Sequence, residues 1–116
     1  MTDLTVYGLK ICDTCRKALK ALEAAGRSVR FVDVRADGGV SRDQIEVWLA
    51  AVGAAALVNT RSTTWRGLDE AARARAETDA AGLLHEHPAL IKRPVIETGA
   101  AVHVGWTKPV QAALGV

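Results

Sequence analysis

Two thiols three residues apart, Cys12 and Cys15, are the cysteines of this 116-residue chain, and they stand where a short strand runs into a helix. The stretch reads Tyr7-Gly8-Leu9-Lys10-Ile11-Cys12-Asp13-Thr14-Cys15-Arg16-Lys17. A thiol at a helix start meets backbone N–H groups that lack intrahelical partners, at the positive end of the helix dipole. Both favour the thiolate, which is the nucleophilic form. Cys12 is therefore the candidate nucleophile. Cys15 is a candidate resolving partner, near enough for a disulfide within the usual Cα separation of about 4.4–6.8 Å. Two other readings stay open: Cys15 as a small buried residue, since thiols pack well as hydrophobes, and the pair as metal ligands. Zinc would need two further ligands, and His85 and His87 are separated by one residue instead of the usual three to five or so. No metal is expected.

Three further groups bear on this thiol. Arg93-Pro94 precedes a strand, where proline fixes the turn and a guanidinium could hold an oxyanion bidentately while favouring the thiolate. An ordinary surface arginine ahead of a turn proline is the equal alternative. Arg61 and Arg66 flank Ser62-Thr63-Thr64, a cluster of donors that suits an anion pocket and equally a helix-capping loop; the residues alone favour capping. Asn59, Lys10 and Thr14 complete the candidate substrate contacts. Lys10 and Lys17 would add positive potential near Cys12. Trp65 is expected to be a packing anchor, and His103 to face solvent.

The elements that position these groups follow from periodicity. Leu4 to Tyr7 alternates as a strand, and from about Thr14 the residues Ala18, Leu19, Leu22 and Ala25 recur at helical spacing until Gly26. Val29 to Val34 is a second strand, giving a βαβ unit with parallel strands and a right-handed crossover. Ala36-Asp37-Gly38-Gly39 is a turn. Ser41 caps a helix that carries Ile45, Trp48, Leu49 and Val52 and ends near Gly53, with Gln44 at the capping-box position. After the apolar Leu57-Val58 come helices around Glu70 to Ala76 and from Asp79 to His87, stopped by Pro88. Val95 to Glu97 and Ala101 to Val104 are strands joined as a hairpin, and Pro109 to Leu114 is a final helix. The order predicts an α/β, thioredoxin-like (glutaredoxin-like) four-stranded mixed sheet. A helical insertion, residues 39–90, separates strands two and three within a single domain spanning residues 1–116.

Bulk properties narrow the classes. A formal charge of +2 with dispersed basic residues gives no nucleic-acid surface. No apolar run is long enough to span a bilayer, and no charged-then-apolar leader opens the chain, so a soluble, cytoplasmic protein is expected. Two cysteines this close cannot staple a secreted framework, and in a reducing compartment such a pair points to redox or metal chemistry.

Cys12-Asp13-Thr14-Cys15-Arg16-Lys17-Ala18, His87-Pro88-Ala89-Leu90-Ile91-Lys92-Arg93-Pro94 and Val104-Gly105-Trp106 resemble the ArsC/Spx group (arsenate reductase-like) of the thioredoxin-like superfamily. The likeness spans essentially the whole chain. Asn59-Thr60-Arg61-Ser62-Thr63-Thr64-Trp65-Arg66 is most similar to the YffB-type branch. The resemblance implies a thiol-dependent reductase in which the residue at Cys12 attacks and Arg93 binds the oxyanion. It also implies no bound cofactor, glutathione as co-substrate, and glutaredoxin as a partner completing turnover. The chain departs from the arsenate reductase pattern at Gly105-Trp106-Thr107 and at Asn59, where that pattern has arginines. Each charge-assisted contact contributes about 1.5–3 kcal/mol, so their loss weakens the hold on a dianion such as arsenate. The Spx side of the resemblance implies an alternative: a redox-sensing regulator whose Cys-x-x-Cys pair switches binding to RNA polymerase. Gly53 falls close to that family's polymerase-contacting glycine, but the charged C-terminal extension of those regulators has no counterpart after Val116.

Overall fold

Alternation shapes the first strand. In the computed structural model, which describes residues 4–35, 40–99 and 101–116, Leu4–Gly8 forms β1, with Leu4, Val6 and Gly8 buried and Thr5 and Tyr7 partly covered. The remaining elements, among the described residues, are α1 (Asp13–Ala24), β2 (Val29–Asp33), α2 (Arg42–Val52), α3 (Ala54–Leu57), α4 (Thr63–Arg66), α5 (Glu70–Thr78), α6 (Ala80–Glu86), a 3-10 turn (Pro88–Leu90), β3 (Val95–Glu97), β4 (Val102–Val104) and α7 (Lys108–Leu114). The expected turn at residues 36–39, and with it the start of the helical insertion, lies outside the described residues. Two compact units emerge: Met1–Val34 with Arg93–Val116, and Arg35–Lys92.

The first unit holds a four-stranded mixed sheet in the order β2-β1-β3-β4, the thioredoxin-like arrangement. β1 pairs parallel with β2, Val6 opposite Phe31, and antiparallel with β3, Val6 opposite Ile96. β3 and β4 form the expected hairpin, Ile96 opposite His103. Parallel pairing requires a crossover, and α1 supplies it. Its buried residues Cys15, Ala18 and Leu22 repeat at helical spacing. Ala25, expected on that face, is exposed because the helix ends at Ala24. Leu4, Val6, Leu22, Ile96 and Leu114 form the core, with Leu19, Phe31, Trp106 and Val110 packed against it. Each fully buried aliphatic side chain contributes roughly 1.5–3 kcal/mol. Arg27 closes the unit, donating from Nη1 to the Leu114 carbonyl at 2.5 Å. His103, expected to face solvent, is half-buried. The three residues of β4 are all partly covered, so the strand shows no clean inside-outside alternation.

The second unit is helical. Ser41 caps α2 by accepting from the Gln44 N–H, and α2 buries Ile45 and Trp48. The four-residue α3 occupies the run that reads as an apolar bridge in sequence. The cap of α6 is Asp79, whose carboxylate accepts from the Gly82 N–H and also pairs with Arg42 at 2.7 Å and Arg75 at 3.3 Å. α6 buries Ala81, Gly82, Leu83 and Leu84. The segment entering the polar stretch pairs with the segment after the 3-10 turn. Asn59 N–H donates to the Leu90 carbonyl and Lys92 N–H to the Leu57 carbonyl, each at 2.7 Å, around a bridge between Val58 and Ile91.

Candidate functional site

Where β1 ends, Leu9 is buried while Lys10 and Ile11 are exposed, and the chain turns into α1. Cys12 N–H donates to the Leu9 carbonyl at 3.1 Å, and the Cys12 carbonyl accepts the Arg16 N–H at 3.0 Å. Arg16 braces the loop from outside: its Nε donates to the Lys10 carbonyl at 2.8 Å, and its guanidinium lies 3.9 Å from Asp13. Cys12 is the N-cap of α1, with extended backbone (φ −82°, ψ 119°) and partial exposure. Cys15 is fully buried one turn inside. Its room comes from Gly8, where any Cβ would collide with the Cys15 sulfur and crowd Cβ of the same residue at 3.3 Å. This glycine reads in sequence as a loop residue; its place at the end of a strand leading straight into the thiol loop was the available signal.

Arg93 comes to the same thiol from the far end of this unit. The Arg93-Pro94 peptide is cis, Pro94 is buried, and the Pro94 carbonyl accepts the Gly105 N–H at 2.8 Å. Gly105 has φ +84°, a conformation that a side chain disfavours. Arg93 is half-buried and its guanidinium hydrogen-bonds the Cys12 sulfur.

The two thiols are driven apart electrostatically. Burial alone would raise the pKa of Cys12, but the Cys15 backbone N–H, the Cys15 thiol and the Arg93 guanidinium outweigh it, and the net displacement is downward. As a thiol, Cys12 closes no capping hydrogen bond. A neutral sulfur is a weak acceptor, so the Cys15 N–H acts mainly on the anion. Cys15 is pushed up to about 11, first by burial and then by the neighbouring Cys12, with the Leu9 backbone N–H pulling the other way. The arrangement can therefore present one nucleophilic sulfur anion beside a fixed guanidinium.

Among the remaining candidates, Lys10, Thr14 and Lys17 are exposed around the start of α1. Asn59, Arg61 and Arg66 belong to the helical unit. Asn59 Oδ1 accepts the Arg61 N–H at 3.1 Å, and the Asn59 carbonyl accepts from the Ser62 hydroxyl at 3.0 Å. Ser62 in turn caps α4 through the Trp65 N–H, so this polar stretch does serve as a capping loop. Arg66 is exposed, and its carbonyl accepts from Arg73, whose guanidinium lies 5.8 Å from the Trp65 ring centroid. Asn59, Thr60 and Arg61 line a cavity of about 340 Å³ together with Lys92, which the sequence motifs do not mark as a site residue. Among the described residues no group of three or more His, Cys, Asp or Glu side chains is placed to hold a metal. No described helix is long and apolar enough to cross a membrane.

Known proteins match this chain along nearly its full length. A Haemophilus influenzae protein is 41% identical over 112 residues, covering 95% of this chain and 97% of the relative. The solved structure of the YFFB (PA3664) protein superposes with a TM-score of 0.87 at 36% identity, over 96% of this chain and 97% of that one. An arsenate reductase (ArsC) related protein from Brucella melitensis gives 0.72 at 32% identity, over 100% and 97%. The global transcriptional regulator Spx of Bacillus subtilis is 29% identical over 108 residues, 90% of this chain and 81% of the regulator. The ArsC family model matches residues 7–111, which take in the thiol loop, the polar stretch and Arg93-Pro94. With its thiol at the mouth of α1 and a matched region running from β1 into α7, the chain belongs to the ArsC family.

Proposed function

We propose that this chain is a thiol-dependent reductase in which Cys12 is the nucleophile, Arg93 the activating and anion-orienting cation, and glutathione the external reductant. The observation that carries the reading is the split between the two thiols: Cys12 held toward thiolate beside Arg93, Cys15 buried and pushed up to about 11. Membership of the ArsC family and likeness to an arsenate reductase-related structure support the reaction class. On a disulfide substrate, the Cys12 thiolate attacks one sulfur, forming a mixed disulfide, and the other sulfur leaves as a thiolate that takes up a proton. Glutathione thiolate then attacks the substrate-derived sulfur of the adduct, which returns Cys12 as thiolate and leaves the oxidising equivalent on a glutathione mixed disulfide. A second glutathione thiolate attacks the glutathione sulfur of that mixed disulfide, so that the remaining substrate thiol is released, glutathione disulfide forms, and two glutathiones supply the two electrons that reduce the substrate. An arsenate-like oxyanion is the other substrate class: the Cys12 thiolate attacks arsenic, a protonated oxygen leaves as water, and two thiol equivalents, oxidised together to a disulfide, supply the two electrons that reduce the arsenic. At neutral pH a thiol held near 11 is almost wholly protonated, which favours glutathione over Cys15 as the resolving thiol. Glutaredoxin is the proposed partner in turnover, in the cytoplasm, with no resident cofactor in the scheme.

Turnover of arsenate, a glutathione mixed disulfide and a generic disulfide, each with glutathione, should be compared for wild type and Cys12→Ser. Activity on at least one that vanishes in Cys12→Ser is the expected result. Absence of turnover on all three, with partner affinity that changes when Cys12 and Cys15 are oxidised, would support a second reading. In that reading the chain is a redox-responsive binding protein, which the 29% identity to Spx favours; RNA polymerase is the partner to test.

A further inference from the structure

The loop that delivers Cys12 also displays an apolar side chain that the thiol chemistry does not use. Ile11, the residue before the nucleophile, is 75% exposed, more than any other large hydrophobic among the described residues. Its main chain is fixed on both sides. Arg16 Nε donates to the Lys10 carbonyl at 2.8 Å, and the Cys12 N–H donates to the Leu9 carbonyl at 3.1 Å. A single exposed aliphatic is ordinary on any surface. This one is held beside a reactive sulfur, and the arginine that braces it also walls a groove.

That groove, about 450 Å³, runs along the outer face of α1 and is lined by Asp13, Arg16, Lys17, Leu19, Lys20 and Glu23. Leu19 and the alkyl stems of the long cations make its walls apolar, with the charged ends at the rim. Asp13 is matched by Arg16 at 3.9 Å, and Glu23 lies at the end of α1 away from the thiol. Lys10, Lys17 and Lys20 are exposed and, among the described residues, enter no ion pair. The groups that hold Cys12 toward thiolate are Cys15 and Arg93, so these lysines are not needed to activate it. From Cys12 to Lys20 the helix rises about 12 Å at ~1.5 Å per residue. Roughly four residues of extended peptide span that length. A small oxyanion would touch neither Ile11 nor the groove. An acidic segment would place carboxylates on the unmatched lysines and an apolar side chain over Ile11.

We propose that Ile11 and this face of α1 dock an acidic segment of the protein whose disulfide Cys12 attacks. On the thiol-reductase reading above, on which this assignment rests, the substrate narrows to a protein disulfide with carboxylates and an apolar residue close by in its chain. Apolar walls and a short cationic span fit a peptide better than the continuous phosphate row of a nucleic acid.

Docking can be measured apart from exchange. The probe is a blocked peptide with serine in place of the attacked cysteine, leucine beside it and glutamates beyond, titrated into the reduced wild-type protein while backbone amide shifts are followed. Saturable binding is expected, with the largest shifts at residues 10–23. Ile11→Ser should weaken it about tenfold at any ionic strength. Lys17→Gln and Lys20→Gln should each weaken it about threefold at low salt, a difference that disappears at about 0.5 M salt. No saturation at millimolar peptide, equal affinity for the same peptide with glutamine in place of glutamate, equal affinity for a single-stranded DNA oligonucleotide, or affinity indifferent to all three substitutions would overturn the assignment. The probe cannot exchange, so a negative titration strikes the docking surface and leaves the turnover test standing. Absence of turnover on every substrate strikes the reductase reading and leaves the measured binding in place.

Discussion

The start of α1 and the starts of the other capped helices solve the same problem in opposite ways. α2, α4, α5, α6 and α7 open on Ser41, Ser62, Asp69, Asp79 and Thr107, and each side-chain oxygen accepts a first-turn N–H. α1 opens on Cys12, which closes no such bond as a thiol. The oxygen caps satisfy their N–H groups at every pH in use. The sulfur cap leaves them under-used until it loses its proton, and that unmet demand is what draws the proton off. Among the described α-helices longer than one turn, α1 alone lacks a side-chain cap, and a thiol with a lowered pKa stands in that place.

The comparison can be broken most severely by giving α1 an ordinary cap. Cys12→Asp should abolish turnover altogether, while an oxygen acceptor at this position raises unfolding stability by about 0.5–2 kcal/mol. Denaturant titration beside an activity assay reads both, and a variant that is inactive but no more stable would argue that the α1 N–H groups are already satisfied.

Alkaline pH tests the other thiol. Cys15 titrates near 11 in the fold against an ordinary 9.0. The unfolded chain therefore releases this proton first, and stability present below about pH 9 is lost as pH rises toward 11. Each tenfold difference in proton affinity between the folded and unfolded thiol is worth about 1.4 kcal/mol, so the loss approaches roughly 3 kcal/mol. Melting temperature against pH should show that fall, and Cys15→Ala should flatten it. Cys12 works with the opposite sign, since its lowered folded value adds stability that disappears as pH falls through it.

Smaller effects sharpen the picture. Gly8→Ala places a methyl against the Cys15 sulfur and should cost about 1–3 kcal/mol, as overpacked cores do. Adding Cys15→Ala should cost less than the sum of the two single changes, because each relieves the other. Ser41→Ala should cost about 1 kcal/mol by uncapping α2, whereas Cys12→Ala should cost nothing through capping. Last, Arg93→Ala should raise the pH midpoint of Cys12 alkylation; an unmoved curve would leave Arg93 a structural role.

Features set by near neighbours in the chain were legible in the sequence. Cys12 at the helix mouth, Ser41 three residues before Gln44 and Pro88 as a stop all rest on neighbours within a few positions. So did the sheet, because β-α-β followed by a hairpin leaves few alternatives. The residues that escaped depend on distant partners. Gly8 reads as a loop glycine until Cys15 is seen packed on it. Arg27 looks like a surface cation, yet it holds the end of α7. Lys92 is unremarked beside Arg93 until the Val58–Ile91 bridge brings it to a cavity wall. Ala54 to Leu57 gave no periodicity because a helix of one turn is too short to show any. The capping role of Ser62 was legible for the same local reason as Ser41.

The pairing of β1 with β3 sets Thr5 opposite Glu97. During synthesis the strand bearing Tyr7 and Gly8 emerges early, while its central neighbour leaves the ribosome only after the helical segment and Arg93. For most of translation the chain therefore displays Cys12 without Arg93 beside it and Cys15 without the core that hides it. Both are then thiols of ordinary reactivity. The difference between them is a property of the folded polypeptide, because its causes draw on residues from both ends of the chain.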